Sequence, residues 1–342
     1  MLSSSSQVYP AEILDVKRRE TLGSLVAISI SIGITLTYAL GAILDWLTAA
    51  WIFFGFVLLQ SICLCLVPES PQWLMTKGRV KEAEEVLGIL RGKEFDNTDE
   101  IKSISLAVAK SSETASTWRE FCQPEAYKPL AILISLWILQ QASGNYIVIS
   151  YTVDIFKGIA EDTAKTSDIY HYVASIIVGL IRTFGTIIGV LMISKKLSRR
   201  KIMMGSSFGM MLAMSMMAIV EYFRFESKGD QWKHLTILIE VGSTFFILFH
   251  SLGFNTIPML LLGELCPVRL KSITSSIAVG IMATLVFVLI KFFPIAMTSL
   301  GAPATYGFFA VVCCGGFIFS HFFIPETQGK TVNELQSMYG NK

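Results

Sequence analysis

The sequence predicts an all-α membrane protein that crosses the bilayer eight times. Of its 342 residues 53% are hydrophobic and only 16% are charged, and the mean hydropathy of +0.58 is too high for a soluble domain. A bilayer core about 30 Å thick needs about 20 apolar residues in a helix, because backbone polar groups must be bonded internally there. Eight stretches meet this requirement, at residues 22–44, 49–67, 130–152, 171–193, 202–220, 235–263, 273–293 and 304–324.

Two segments between or within these spans have distinctive patterns. The polar stretch 68–129 places Val80, Ala83 and Leu87 at helical spacing, so short amphipathic helices are expected there. They could form a latch beneath the membrane domain or a solvated linker. The span 235–263 is longer than the bilayer requires and contains Gly253 and Pro258, which predicts a tilt or a break.

The basic residues predict the orientation of the chain. All but seven of the 28 Lys and Arg residues fall on one side of the predicted spans. The positive-inside rule makes that side cytoplasmic and places both termini there. The first span is longer than the core of a signal peptide, so it is expected to stay in the membrane. The net charge of +2 gives no indication of a nucleic-acid partner.

An internal repeat predicts the arrangement of the spans. Residues 11–19 resemble residues 263–271, and residues 67–71 resemble residues 324–328; the two members of each pair are separated by six spans. The repeat unit therefore holds six parallel-oriented helices, an arrangement of the major facilitator type. On this basis we expect 1–67 to be the last two helices of an N-terminal bundle that has four more. Residues 68–129 would then be a cytoplasmic loop, 130–324 a complete six-helix C-terminal bundle and 325–342 a cytoplasmic tail.

Four motifs resemble those of the sugar-porter branch of the major facilitator superfamily, in the style of insect facilitative sugar carriers. Residues 68–79 resemble the signature after the family's sixth helix, and residues 325–331 resemble the signature after its twelfth. Residues 140–144 (Gln-Gln-Ala-Ser-Gly) resemble a motif of the seventh helix, and residues 263–269 resemble an acidic–basic motif after the tenth. The resemblance covers nearly the whole chain and implies a sugar transporter that works by alternating access.

Gln140, Gln141 and Asn145 are the candidate substrate ligands. A sugar needs amides directed into an aqueous cavity, and an amide at mid-depth of the 130–152 span must face the protein interior. The amides could instead bond neighbouring helices, but the resemblance implies that the glutamine pair contacts sugar.

Several positions depart from the family pattern. Tyr146 stands where the family has an amide, and Asn255 to Met259 replace a motif that carries a sugar-stacking tryptophan. Ala27 occupies the place of a sugar-contacting glutamine. Tyr146 and Asn255 are included among the candidate ligands, and they leave open a solute other than hexose or trehalose.

Charged residues near the cytoplasmic ends resemble the family's gating salt-bridge network. Such pairs act as switches even when each contributes little stability. The cluster could also serve only to set topology. Its predicted members are Glu12, Arg19, Glu69, Arg199, Arg200, Glu264, Arg269 and Glu326.

Two basic residues lie inside predicted spans. Arg182, near the middle of 171–193, should face a cavity or find a partner, for which Glu240 is a candidate. Lys291 is expected to extend toward the membrane surface.

No enzyme, cofactor or metal signature is found, and the four histidines lack ligand spacing. The sequence therefore predicts a multi-pass sugar carrier in the plasma membrane, facilitative and monomeric when complete. Proton symport, another solute, and a non-transporting sensor or truncated form are the alternatives.

Overall fold

The structure is a computed structural model that describes residues 25–92, 124–161, 169–195, 197–226, 237–265 and 271–326, together with residues 9, 13, 98, 101, 102 and 104–106. Within these ranges the longer ordered elements are helices and no strand occurs. Seven helical stretches of the described chain are long and apolar enough to cross a membrane, and each overlaps a predicted span. The remaining predicted span, 235–263, holds an apolar helix of only 16 residues followed by a second, shorter helix. The all-helical membrane fold is thus confirmed, and seven of the eight predicted spans coincide with helical stretches long and apolar enough to cross a membrane.

Twelve helices lie in the described ranges. In chain order they are α1 (Leu25–Ile43), α2 (Trp46–Leu66), α3 (Pro71–Thr76), α4 (Val80–Arg91), α5 (Pro124–Ala142), α6 (Asn145–Glu161), α7 (Ile169–Ser194), α8 (Arg199–Glu226), α9 (Ile237–Leu252), α10 (Ile257–Leu265), α11 (Lys271–Ser299) and α12 (Ala302–Phe322).

The chain divides into two compact units. One contains residues 1–26 and 44–123, and the other contains residues 27–43 and 124–342. Most of α1 therefore belongs with the helices from α5 onward, whereas α2 belongs with α3 and α4.

In the first unit, the start of α2 is set by a capping residue. The Asp45 carboxylate accepts hydrogen bonds from the Thr48 hydroxyl at 2.7 Å and from the Thr48 backbone N–H at 3.2 Å. These bonds hold the pKa of Asp45 below its usual value, and the bond from the Thr48 hydroxyl has the larger effect. Asp45 thus satisfies a donor at the first turn of α2, as aspartate commonly does at a helix N-terminus.

The sequence after α2 encodes a short capped helix followed by an amphipathic one. Ser70 caps α3, Pro71 occupies its first turn, and Gly78, with φ of +74°, ends the turn that follows. The predicted amphipathic helix is present as α4: Ala83 and Leu87 are buried, and Glu82 on its other face pairs with Arg79. The apolar face of α4 packs against α3.

In the second unit, α8 packs most extensively against α12 and α9, and α7 packs against α9. The α7–α9 contact depends on small residues in α7. A Cβ atom on Gly189 would lie 2.5 Å from the Leu252 carbonyl oxygen, and one on Gly185 would lie 3.1 Å from Leu248 Cδ1. Small residues four apart let the two backbones approach closely, as is common between membrane helices.

Two interruptions divide predicted spans. Ser143 and Gly144 separate α5 from α6, a break that the sequence prediction for 130–152 did not include. Gly144 has φ of +88°, and a Cβ atom there would lie 3.1 Å from the Phe309 ring, so glycine suits both the backbone and the space. Residues 253–256 separate α9 from α10, which confirms the break predicted from Gly253 and Pro258.

Helix α1 docks on α7 through hydroxyl groups. Ser31 and Thr186 share a hydrogen bond of 3.0 Å, and Thr35 and Thr183 share one of 3.1 Å. A Cβ atom on Gly179 would lie 3.0 Å from the Thr35 Cα atom, so the helices touch closely at this point. Interhelical hydroxyl bonds of this kind stabilise membrane helix pairs by about 0.6–2 kcal/mol each.

We predict that Gly189→Ala lowers the thermal unfolding midpoint of the protein in lipid nanodiscs. The added methyl group meets the backbone of Leu252 and must push α7 and α9 apart, at a cost on the order of 1–3 kcal/mol. Gly280→Ala is the matched control, because no atom lies within 4 Å of a Cβ atom there. Equal midpoints for the two variants would show that the close α7–α9 approach is not required.

Candidate functional site

The two helix interruptions are joined by a side chain from the predicted site. The Gln140 amide, at the end of α5, donates a hydrogen bond through Nε2 to the Phe254 carbonyl in the 253–256 break. The Phe254 N–H is directed at Ser206 Oγ of α8, at 3.4 Å, and the Ser206 hydroxyl donates to the Phe249 carbonyl at 2.6 Å. Side chains of α5 and α8 thus contact the backbone carbonyl and the backbone N–H of Phe254, respectively.

Gln141 and Asn145 lie on either side of the α5–α6 break and are buried, with exposed fractions of 2% and 3%. Among the described residues, Gln141 Oε1 finds no hydrogen-bond partner. Ser143, in the break itself, donates its hydroxyl to the Gln140 carbonyl at 2.7 Å. The polar groups of 140–145 are therefore directed into the protein, as the sequence predicted.

Arg182 is the only charged group at the centre of this region of the described chain. It is 4% exposed, and its terminal nitrogens donate to the side-chain oxygens of Asn145 and Asn255, each at 3.3 Å. Burying an ionised group at mid-membrane costs on the order of 3 kcal/mol on insertion scales, so these contacts matter. Arg182 thus links α6, α7 and the 253–256 break.

The predicted pairing of Arg182 with Glu240 is wrong. The Glu240 carboxylate instead accepts a hydrogen bond of 2.7 Å from the Tyr170 hydroxyl. Glu240 lies in the first turn of α9, whereas Arg182 lies at the middle of α7 and meets the residues around the break that follows α9.

A chain of polar contacts extends from Asn255 to α1. The Asn255 amide donates to Thr186 at 3.4 Å, and Thr186 shares its hydrogen bond with Ser31. Close by, the Tyr38 hydroxyl donates to the Ile149 carbonyl of α6 at 2.6 Å. We call the set Ser31, Tyr38, Asn145, Arg182, Thr186 and Asn255 the midspan polar cluster.

The remaining predicted ligands occupy the edge of this cluster. Tyr146 is half-buried, follows Asn145 in α6, and lies within electrostatic range of Arg182. Asn255 is half-buried and belongs to the cluster directly. The side chain of Met259 lies outside the described residues.

Three predicted gating residues meet where α8 begins and α12 has ended. Glu326 accepts hydrogen bonds from the Ser198 hydroxyl and, at 3.4 Å, from the Arg199 backbone N–H. Arg200 donates to the His321 carbonyl near the end of α12. A carboxylate is favoured at this position because the first N–H groups of a helix have no acceptor within the helix and carry partial positive charge.

The other predicted gating residues are not assembled by the described contacts. Glu69 lies in the first unit. There, burial of the Tyr9 ring and, to a smaller extent, the charge of Glu69 raise the pKa of Tyr9. The Tyr9 hydroxyl donates to the neighbouring Pro68 carbonyl at 2.7 Å. Glu12, Arg19 and Arg269, and the side chain of Glu264, lie outside the described residues.

Sequence reasoning missed Tyr38, Thr186, Ser31 and Ser206. A signal did exist for one helix, since Ser31 and Thr35 are four residues apart on α1 and so share a face. Ser206 carried no comparable signal, because single serines are common in membrane helices and only the fold brings it to Phe254.

Two surface clefts are separate from the midspan polar cluster. One, with a volume of about 560 Å³, lies between the C-terminal end of α8 and the N-terminal end of α12 and is lined by residues such as Tyr222 and Pro303. Another, of about 330 Å³, lies between α7 and α9 beside Tyr170 and Glu240. Neither is lined by the glutamine pair.

A helical membrane protein with interrupted helices and polar side chains gathered at mid-depth has the construction of a secondary transporter. Comparison with known proteins agrees with this class. The profile of the sugar (and other) transporter family matches residues 1–339. The chain belongs to that family.

Curated relatives include the facilitated trehalose transporter Tret1 of Drosophila yakuba and a Tret1-2 homolog of Drosophila sechellia. Each is 33% identical over 336 residues, or 98% of this chain. The chain spans 38% of the length of the first and 67% of the second.

Solved structures show the same fold. The proton:xylose symporter XylE bound to 6-bromo-6-deoxy-D-glucose superposes with a TM-score of 0.77 at 23% identity, covering 98% of this chain and 71% of that one. The inward-open xylose transporter XylE from E. coli gives 0.71 at 22% identity, covering 98% and 70%. The fold is that of the major facilitator superfamily.

We predict that Gln140→Leu lowers the thermal unfolding midpoint, because it leaves the Phe254 carbonyl without its side-chain donor. The expected loss is roughly 1–3 kcal/mol of unfolding free energy. Gln60→Leu, at an exposed position of α2, is the control and should leave the midpoint unchanged or raise it. If both variants have the same thermal unfolding midpoint, Gln140 does not support the break and its role lies elsewhere.

Proposed function

We propose that the protein moves a sugar, a hexose or trehalose, across the plasma membrane by alternating access. The observation that carries the proposal is the placement of Gln140, Gln141 and Asn145 at a helix break in a chain of the sugar transporter family. Amides at mid-depth in a membrane protein serve polar ligands or helix contacts, and Gln141 keeps an unpartnered acceptor oxygen among the described residues.

The helix interruptions suit a binding site. A break in a membrane helix is tolerated where it is buried in protein or lines a cavity, and it exposes polar groups to a solute. The breaks at 143–144 and 253–256 are bonded to one another through Gln140, so they can form one polar surface. On this proposal Tyr146 and Asn255 complete that surface.

The cytoplasmic contacts suit a gate. Glu326, Ser198 and Arg200 tie the start of α8 to the chain at the end of α12 through a few hydrogen bonds. Individually weak surface contacts of this kind can break and reform as a carrier opens and closes. Glu12, Arg19, Glu69, Glu264 and Arg269 are proposed to complete the gate.

The proposed arrangement of the complete carrier follows the repeat. Residues 1–67 belong to an N-terminal bundle, residues 68–129 to a cytoplasmic loop, residues 130–324 to the C-terminal bundle and residues 325–342 to the tail. Both termini are cytoplasmic, and the complete carrier is monomeric and binds no nucleic acid. The partial coverage of the relatives supports a larger parent protein.

Facilitative transport is the proposed mode. Glu240 is the only Asp or Glu within the eight predicted spans of this chain, and its carboxylate is bonded to Tyr170 at the end of α9 remote from the 253–256 break. Among the described residues, therefore, no carboxylate lies at the midspan polar cluster to carry a coupling proton.

A second candidate is a membrane protein that senses or regulates without transporting. It is favoured by the complete burial of Gln141 and Asn145, which in this structure face other helices. Transport measured on the chain separates the two candidates.

We predict saturable uptake of radiolabelled glucose or trehalose by proteoliposomes that contain the protein, without acceleration by an inward proton gradient. The chain is measured alone and, where the reading frame upstream of Met1 encodes further helices, joined to them. Because the site residues lie in the chain itself, Gln141→Ala should lower uptake at least tenfold at equal protein level.

Three results would contradict the proposal in different ways. Acceleration by protons would replace the facilitative mode with symport. Uptake of another solute in place of both sugars would change the substrate. No uptake by either form would favour the non-transporting candidate.

A further inference from the structure

Among the described residues, no carboxylate is bonded to the guanidinium of Arg182. Of the Asp and Glu residues, only Glu240 falls within the predicted spans, and its carboxylate binds Tyr170. The described partners of the guanidinium are amide oxygens, which are neutral. A buried charge without a partner of opposite sign is strongly disfavoured, so an anion is the expected complement.

The Arg182 guanidinium has unused hydrogen-bond donors for such a partner. The Asn145 and Asn255 oxygens hold the two terminal nitrogens, while Nε has no hydrogen-bond partner among the described residues. The planar guanidinium carries five N–H donors, and two carboxylate or phosphate oxygens can be bound by such a fork. The amides thus orient the group without neutralising it.

Other polar atoms near the 253–256 break are also unpartnered within the described chain. They include both ring nitrogens of His250, the Thr256 hydroxyl and Gln141 Oε1. His250 is fully buried and within electrostatic range of Arg182. Buried polar atoms are nearly always bonded in proteins, so several unpartnered atoms, with His250 close to the charge of Arg182, indicate a site for a polar ligand.

We propose that Arg182 is a specificity-determining residue and that the substrate is a sugar bearing a negative charge. This proposal rests on the proposed transport function and specifies its preferred substrate class, which is sugar acids or sugar phosphates rather than neutral sugars. The hydroxyls of the sugar meet Gln140, Gln141 and Tyr146, and the anionic group meets Arg182 and its flanking amides.

The purely structural explanation is that Arg182 only ties α7 to α6 and to the 253–256 break. It accounts for the two amide contacts but leaves the positive charge uncompensated. The two explanations differ in what they predict for substrate preference, which can be measured directly.

The test uses whichever form of the protein shows sugar uptake in proteoliposomes. Glucuronate and glucose 6-phosphate are tested as competitors of radiolabelled glucose at pH 7, with unlabelled glucose as reference. We expect one of the two anions to inhibit at a concentration at least tenfold lower than glucose does. Inhibition by glucuronate identifies a carboxylate and inhibition by glucose 6-phosphate a phosphate.

Two substitutions remove the charge in different ways. Arg182→Gln deletes it, and Asn255→Asp neutralises it by placing a carboxylate of nearly equal size against the guanidinium. Both should raise the inhibitory concentration of the anion at least tenfold relative to that of glucose. Lys291→Gln, which deletes a positive charge at an exposed site of α11, is the control and should leave the preference unchanged.

The outcomes separate this proposal from the transport function. Glucose uptake that neither anion inhibits better than glucose would overturn the anionic substrate while leaving sugar transport intact. The competition assay on the unmodified protein decides this even if both substitutions prevent folding. Absence of all uptake would overturn the transport function, and the anionic substrate with it.

Discussion

The interior of this protein depends on satisfying backbone polar groups where helices are interrupted inside the membrane. Phe254 illustrates the constraint, because it lies between α9 and α10 and has no helical partner for its carbonyl. Gln140 of α5 binds that carbonyl, and Ser206 of α8 lies against the N–H group of the same residue. In hydrocarbon each unsatisfied group costs several kcal/mol, so two polar side chains are required at mid-depth before any solute is considered. The polar interior therefore has a structural origin on which a binding site can be built.

The same requirement explains how α6, α7 and the second break are held together. Arg182 contacts one side-chain amide in α6 and one, that of Asn255, in the second break. Asn255 in turn donates to Thr186, which is bonded to α1. Close approach of α7 to α9 at Gly189 and of α7 to α1 at Gly179 brings these side chains within reach. Small residues thus set the helix distances, and the polar groups then fix which neighbours meet. A carrier that changes shape can use such short-range contacts as discrete states.

Much of the fold could be predicted from the sequence, because bilayer thickness imposes one length scale on every apolar run. The break near Gly253 and Pro258 and the amphipathic face of α4 were likewise predicted from local pattern. The break at Ser143-Gly144 was not predicted, although Gly144 was read as part of a motif. Its necessity comes from a positive φ and from the Phe309 ring on α12, which is distant in sequence. The pairing of Arg182 with Glu240 failed for a related reason, because depth along two helices says little about which faces meet.

What the sequence by itself determined is the class of protein: lipid as solvent, the position of the helices, the repeat and the family motifs. These properties follow from composition and spacing, which are local and need no knowledge of contacts. The tertiary structure decided which polar residues share a cluster, that Gln140 supports a break, and that Arg182 meets two amides and, within the described part of the chain, no acid. Such contacts join residues up to 155 positions apart. They depend on helix rotation and separation, which hydrophobic periodicity does not specify for helices that are apolar on every side.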